Sequence, residues 1–166
     1  MSLKEEVNQD LKESLKEHKE LEVSTLRQLL SSVLNKEKEK RFTISQAEPE
    51  LPSAELIEKS SLNDEEVLEL IILEAKKRRE AIEGFEKGGR NESAEKERKE
   101  LEILKKYLPE QMSEEEIEDL VTSVIDQIQA KDIKDMGKVM AALIPKCKGR
   151  ADNALVCKIV KEVLSG

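Results

Sequence analysis

The stretch LNDEEVLELIILEAKKRR (62–79) contains the signals that decide the fold class. Asn63 is a typical N-cap, and Glu66 stands three residues later, where its side chain can return a hydrogen bond to the cap. Leu62 and Val67 flank this capping box as a hydrophobic staple. The apolar run that follows covers more than half of a helical circumference, so we expect a largely buried helix. Acids before the run and bases after it complement the helix dipole.

Helical patterns also precede this stretch. Ser2 and Glu5 form a second possible capping box. A single apolar stripe predicts another helix over about 23–40. The pattern then weakens over 41–61, where two prolines and several serines predict a loop or insertion. Because a connection of about 20 residues is unusual inside a compact domain, we expect a short helix near 54–59 within it.

The helical patterns resume after residue 90. A helix over about 92–107 is predicted to end before Pro109, which we interpret as a domain boundary. Ser113 and Glu116 repeat the capping-box pattern. Beyond this boundary the apolar stripes predict three short helices, over about 113–128, 134–144 and 153–164, with Pro145 and Gly149 breaking the middle one.

The composition agrees with an all-α protein. Charged residues make up 40% of the chain, hydrophobic residues 37% and aromatic residues 2%, with only six glycines. A β-sandwich or barrel would need more aromatic residues and more glycine turns, and a nucleotide-binding fold would need a glycine-rich loop. We therefore expect an all-α chain with an elongated N-terminal helical domain (1–108) and a small C-terminal three-helix domain (109–166).

The sequence also bears on location. It has no run of about 18 apolar residues, so no membrane-spanning helix or membrane partner is expected. Its acidic start lacks the apolar region of a secretion signal and the arginines of a transit peptide. Cys147 and Cys157 fit no metal-binding or redox spacing, and free thiols are typical of a reducing cytoplasm.

Candidate catalytic groups are few. The single histidine, His18, stands among charged residues at the end of the first predicted helix, where it would complement the dipole. Cys147 lies between two lysines, but no histidine is near it in sequence, which favours an ordinary thiol. The acids at 114–116 fit a first helical turn better than acid–base catalysis. We assign no catalytic residue, no cofactor and no metal ligand.

Charge is distributed unevenly in the last third of the chain. Residues 109–132 contain eight acids and one lysine, whereas 133–161 contain seven bases and two acids. Such a basic segment favours phosphate binding, although a solvated surface that balances its acidic neighbour is an alternative. Asp152, the expected N-cap of the last helix, would compete with a bound anion. The candidate RNA-binding residues are Lys134, Lys138, Lys146, Lys148 and Arg150. A second basic run, 76–79, fits dipole complementation better.

Two long segments closely resemble the GatB/YqeY family. They are LEILKKYLPEQMSEEEIEDLV (101–121) and KDMGKVMAALIPKCKGRADNALV (134–156), and the GGR at 88–90 is similar to the free-standing YqeY type. The C-terminal part resembles the tail domain of the B subunit of tRNA-dependent amidotransferases. Gly137 and Gly149 match the family pattern, and we expect them to serve close helix approach and a turn with positive φ.

The resemblance implies a role in translation as a tRNA- or structured-RNA-binding accessory protein. It also implies a family label, carbon–nitrogen ligase with glutamine as amido donor, although the catalytic cradle of the amidotransferase has no counterpart here. The alternatives are a helical protein-interaction module, with a protein as partner, and amide transfer itself. The sequence does not indicate an oligomeric state.

Overall fold

The computed structural model describes the whole chain, Met1–Gly166, as helices and connections without strands. The predicted all-α class is thus confirmed. The chain divides into two compact units, Met1–Tyr107 and Leu108–Gly166. None of its helices is long and apolar enough to cross a membrane.

Eight α-helices and one short 3₁₀ helix make up the two units. The first unit contains α1 (Leu3–Lys16), α2 (Glu20–Ala47), α3 (Ser53–Ser60), α4 (Asp64–Lys87) and α5 (Asn91–Lys105). The second unit contains α6 (Glu114–Ile128), the 3₁₀ helix Ile133–Asp135, α7 (Met136–Cys147) and α8 (Asn153–Ser165).

The three predicted capping boxes are confirmed. The Glu66 N–H donates to Asn63 Oδ1 (2.9 Å), and the Asn63 N–H donates back to the Glu66 carboxylate (2.9 Å). Ser2 and Ser113 cap α1 and α6 through the same reciprocal pair of bonds. These caps are local, so the residues that make them specify the helix starts without help from the rest of the fold.

The segment 41–61, expected to be a loop or insertion with a short helix near 54–59, is mostly helical, and α3 confirms that short helix. α2 continues to Ala47, and α3 occupies most of what remains. The apolar periodicity is weak here because polar contacts hold the two helices together: Arg41 Nε donates to Ser60 Oγ (3.1 Å), and Ser60 is fully buried. The periodicity of apolar residues in a sequence does not reveal polar contacts of this kind.

Pro145 does not end its helix, contrary to expectation. α7 continues through Pro145 to Cys147, whose side chain is completely buried. A proline in a helix removes one backbone hydrogen bond, here to the carbonyl of Ala141. Both residues lie on the solvent-exposed side of α7, where water can bond that carbonyl. The burial of Cys147 favours the three additional helical residues, nearly one turn.

Arg78 lies in the interior of the first unit, where it joins three helices. Its guanidinium contacts Glu100 of α5 (3.0 Å) and Glu97 of the same helix (3.5 Å), and it donates to Gln28 Oε1 of α2 (2.8 Å). The Arg78 side chain is 8% exposed and that of Glu100 is 9% exposed. Arg78 and these acids therefore pair with one another rather than with water, while Arg78 Nε and Glu97 Oε2 make no hydrogen bond.

Asp10 connects α1 to the end of the first unit. Its carboxylate accepts hydrogen bonds from Tyr107 Oη and from Lys106 Nζ (2.6 Å). Burial alone would raise the pKa of Asp10, but the bonds from Lys106 and Tyr107 outweigh that effect and hold the pKa below its usual range. The same burial and the Asp10 carboxylate raise the pKa of Tyr107.

We expect Asp10→Asn to lower the free energy of unfolding by about 2 kcal/mol at pH 7, because charge-assisted hydrogen bonds are lost. A lowered carboxyl pKa contributes stability that is present above the unfolded value, about 4, and is lost as the pH falls below it. Urea unfolding should therefore show a smaller difference from the wild type at pH 3 than at pH 7. Glu17→Gln, at a 58% exposed carboxylate on α1's C-cap, is the control and should change little.

The second unit is a three-helix arrangement with its own core. Its buried residues come from all three helices: Ile117, Val121, Val124, Ile125, Val139, Leu143, Cys147, Val156, Ile159 and Val160. This core holds α7 so that the opposite side of the helix, which begins with Gly137 and Lys138, faces solvent. The candidate RNA-binding residues lie on and next to this exposed side.

Candidate nucleic-acid interface

The five predicted cationic residues lie at the two ends of α7. Lys134 is in the 3₁₀ helix that leads into α7, and Lys138 is in its first turn. Lys146 is in the last turn, and Lys148 and Arg150 follow in the connection to α8. From Lys138 to Lys146 the helix rises about 12 Å. The cations therefore form two groups along one helix rather than a single cluster.

The first group is accompanied by acids. Lys138 Nζ lies 3.9 Å from Asp135, and the Lys138 side chain is 81% exposed. A hydrogen bond from the Lys131 backbone N–H holds the pKa of Asp135 below its usual range, so this carboxylate stays charged. Asp132 accepts from the Lys134 backbone N–H (2.8 Å). These acids shape the turn and reduce the local positive potential.

The connection that carries the second group is held in place by the segment before α6. The Met112 N–H donates to the Arg150 carbonyl (2.8 Å), and Gln111 Nε2 donates to the Gly149 carbonyl (2.6 Å). Gly149 has φ +74°, the left-handed conformation expected for it. Arg150 Nε donates to the Glu110 carbonyl (3.2 Å), which leaves Arg150 half-buried. The second group is therefore presented on a fixed turn.

The N-terminus of α8 is already capped, as expected. Asp152 Oδ1 accepts from the Ala154 N–H (3.2 Å), and Asp152 is the N-cap residue. This carboxylate occupies the place where an anion would meet the free backbone N–H groups. A phosphate here would therefore bind lysine and arginine side chains rather than the helix end.

The exposed side of α7 has short or apolar side chains between the two cationic groups. Gly137, Ala141, Ile144 and Pro145 lie along it, and Ile144 is 44% exposed. A Cβ on Gly137 would meet no atom within 4 Å, so the expected role of this glycine in close helix approach within the protein is wrong. The sequence analysis did not identify Ile144 as part of this exposed surface. Its position outside the apolar stripe of α7 is the signal that could have found it.

Two other candidates from the sequence have ordinary environments. Cys147 is completely buried in the core of the second unit, and burial raises the pKa of its thiol despite the opposing effect of Arg150. His18 is exposed in the turn between α1 and α2, with φ +55°. The structure has no group of three or more side chains suited to holding a metal ion.

The second basic run, 76–79, is divided by the fold. Lys76 and Lys77 are exposed and pair with Glu80 (3.8 Å) and Glu74 (2.9 Å), in that order. Arg78 points into the interior, as described above, so the four bases do not form one patch. Consecutive residues of a helix lie on different sides of it, so these four bases on α4 do not share one side.

The family comparison covers nearly the whole chain, since residues 4–164 match the model described as "Yqey-like protein". The chain belongs to the YqeY-like family. The GatB/YqeY resemblance inferred from the sequence is thereby confirmed. Because the match includes both compact units, the YqeY-like pattern extends from α1 to α8.

Two curated proteins are similar to this chain over most of their own length. "Altered inheritance of mitochondria protein 41, mitochondrial" of Pyrenophora tritici-repentis is 30% identical over 139 residues, which are 82% of this chain and 76% of that protein. "Uncharacterized protein C22F3.15" of Schizosaccharomyces pombe is 33% identical over 87 residues, 52% of this chain and 71% of that protein.

Proposed function

We propose that this YqeY-like protein binds structured RNA, with tRNA as the leading candidate, through the exposed side of α7 and the turn that follows it. The observation that carries the proposal is the presentation of cations at both ends of that side, with short side chains between them. A phosphate backbone is a row of negative charges spaced several ångströms apart. Two separated cationic groups therefore fit an RNA backbone better than they fit a single small anion.

The composition of the second unit favours contact with the backbone over contact with bases. Leu108–Gly166 contains no Phe, Tyr or Trp, so it has no aromatic side chain on which a base could stack. Lysine and arginine side chains on a rigid helix recognise charge and shape. We therefore expect preference for folded RNA over unstructured single strands of the same length.

Amide transfer is not part of this proposal. In an assay with misacylated tRNA, an ammonia donor and ATP, the isolated protein should show no turnover. Measured turnover would contradict an accessory role and support the family label of carbon–nitrogen ligase.

A titration of labelled tRNA at 50 and 200 mM salt tests RNA binding directly. With three to five phosphate contacts, affinity should fall roughly 100-fold between the two concentrations, because released counterions drive the binding. An unstructured RNA of equal length should bind more weakly at both. Absence of binding at 50 mM salt, or affinity that salt does not change, would refute the proposal.

Gly137→Ala is expected to change protein stability and tRNA affinity in opposite directions. Because the added methyl meets open space and alanine favours helix, we expect the free energy of unfolding to rise by up to about 1 kcal/mol. The same methyl would obstruct an RNA backbone lying against α7, so tRNA affinity should fall about fivefold. Urea unfolding and the tRNA titration measure the two effects. Unchanged affinity would show that the RNA contacts another surface.

The cellular location follows as a separate proposal. Free thiols favour the cytoplasm, whereas the name of the Pyrenophora relative contains the word mitochondrial. We propose cytoplasmic residence and would test it by imaging the natural full-length protein with a C-terminal fluorescent tag. Co-localisation with a mitochondrial marker would contradict it.

A further inference from the structure

An apolar groove runs between α2 and α4 in the first unit. The two helices are antiparallel, because Lys40 pairs with Glu66 (2.7 Å) whereas Ser32 bonds Glu74 (3.2 Å) further along α4. The groove encloses about 590 Å³. The apolar residues that line it are Ile44, Leu62, Leu70 and Leu73. All the residues that line this groove belong to the first unit.

α4 carries more apolar surface than its neighbours cover. Ile71 and Ala75 are completely buried against the rest of the unit, whereas Leu73 is 46% exposed and lines the groove. One exposed leucine is common on protein surfaces. A leucine that continues an apolar groove is a different case, because a partner that fills the groove would remove the whole apolar strip from water.

The charges along α4 indicate what that partner is. The groove residues of α4 include Glu66 and Glu69 before Leu73. The helical repeat places Lys76, Lys77 and Glu80 on the same side of the helix after it. A second copy of α4 lying antiparallel across the groove would place its Lys76 and Lys77 near Glu69 of the first. A two-fold axis near Leu73 would relate the two copies. The same surface of each copy then contacts the other, and the same ion pair forms on both sides of the axis.

The existing ion pairs of these residues do not oppose that arrangement. Lys76 Nζ lies 3.8 Å from Glu80, and both side chains are at least 60% exposed. Lys77 is 56% exposed and Glu66 is 33% exposed in their pairs. An exposed pair such as Lys76–Glu80 contributes little, so Lys76 can contact a second acceptor at low cost. Lys77 pairs with the buried Glu74, but its own side chain remains exposed.

We propose that two copies of this protein associate through the α2/α4 groove, with the two α4 helices antiparallel across a two-fold axis near Leu73. The contact is isologous, with leucines at its centre and ion pairs at both ends. It is independent of RNA binding, since it uses a different unit, and either property can fail without the other.

Sedimentation velocity of the full-length protein over a range of concentrations tests the association. The wild type should show a concentration-dependent dimer, and Leu73→Glu should weaken it roughly 100-fold, because a carboxylate would be buried at the centre. The matched control is Leu34→Glu. Leu34 is 47% exposed on α2 but lies about 160° around the helix from the groove residue Lys36. The control should dimerise like the wild type, and circular dichroism should show both variants folded.

Charge reversal tests the antiparallel arrangement. Glu69→Lys and Lys76→Glu should each weaken the dimer roughly tenfold, because attraction becomes repulsion at both symmetry-related ends. An equimolar mixture of the two variants should form heterodimers with affinity near that of the wild type. The double variant Glu69→Lys, Lys76→Glu should likewise dimerise with affinity near that of the wild type.

Several outcomes would overturn the proposal. They are a wild type that stays monomeric at all concentrations, a Leu73→Glu variant as dimeric as the wild type, and a Leu34→Glu variant that is equally weakened. Single charge variants that do not recover on mixing would overturn the antiparallel arrangement. A monomer that still binds tRNA with the expected salt dependence would refute the dimer and leave the proposed function intact.

Discussion

Arg78→Ala should lower the free energy of unfolding by about 3–5 kcal/mol. The substitution leaves Glu97 without its cation and leaves Glu100 with only the exposed Lys96, whose Nζ is 4.0 Å away. Water does not reach this place freely, since the Glu100 side chain is 9% exposed. An unpaired buried carboxylate loses its hydration without compensation. A loss of this size is a large part of the total stability of a small domain. Urea unfolding at pH 7, followed by circular dichroism, measures it.

A neighbouring arginine provides the control for this prediction. Arg79→Ala removes the same side chain from a half-buried position that is outside the buried ion cluster, and we expect a change below about 0.5 kcal/mol. The triple variant Arg78→Met, Glu97→Gln, Glu100→Gln removes all three charges and should recover much of the lost stability. An Arg78→Ala protein as stable as the wild type would show that the buried ion cluster contributes nothing.

Simultaneous Lys146→Ala, Lys148→Ala and Arg150→Ala should reduce tRNA affinity about 100-fold at 50 mM salt. Each lost phosphate contact removes released counterions, so the slope of log affinity against log salt should decrease by about 2–3. The variant removes the bond from Arg150 Nε to the Glu110 carbonyl, but the turn should persist, because its other bonds use the Met112 N–H, the Gln111 amide and backbone carbonyls. A tRNA titration over several salt concentrations measures both quantities.

A charge-matched control separates a local interface from overall electrostatics. Lys12, Lys16 and Lys38 are exposed lysines of the first unit, and replacing all three with alanine changes the net charge by the same amount. We expect this control to weaken tRNA binding less than fivefold and to leave the salt slope nearly unchanged. Equal losses in the two triple variants would contradict a specific role for the turn after α7.

Local signals in the sequence predicted much of the helical architecture. The caps at Ser2, Asn63 and Ser113 depend on residues three positions apart, so they can be identified from the sequence alone. The segment 41–61 was less predictable because its helices are held by polar contacts such as Arg41 with Ser60. Hydrophobic periodicity does not register contacts of this kind.

Part of the candidate interface was also predictable from the sequence, and part of it was not. The sequence identified five cations near the C-terminus, because charge can be counted without coordinates. Their spacing also places Lys134 and Lys138 on one helix and Lys146, Lys148 and Arg150 in the break after it. The sequence did not show that Asp135 stays beside Lys138. It also did not show that Gly137 faces open space. Each of these depends on which side of the helix the core covers.

By itself, the sequence determined the all-α class, the starts of the capped helices and the uneven charge, since these follow from neighbours along the chain. Only the tertiary structure decided that Arg78 is buried while Lys76 and Lys77 remain in solvent, and that Leu73 lines an open groove. The reason is physical: the burial of a side chain depends on which distant helices pack against it, and that packing is set by the whole fold.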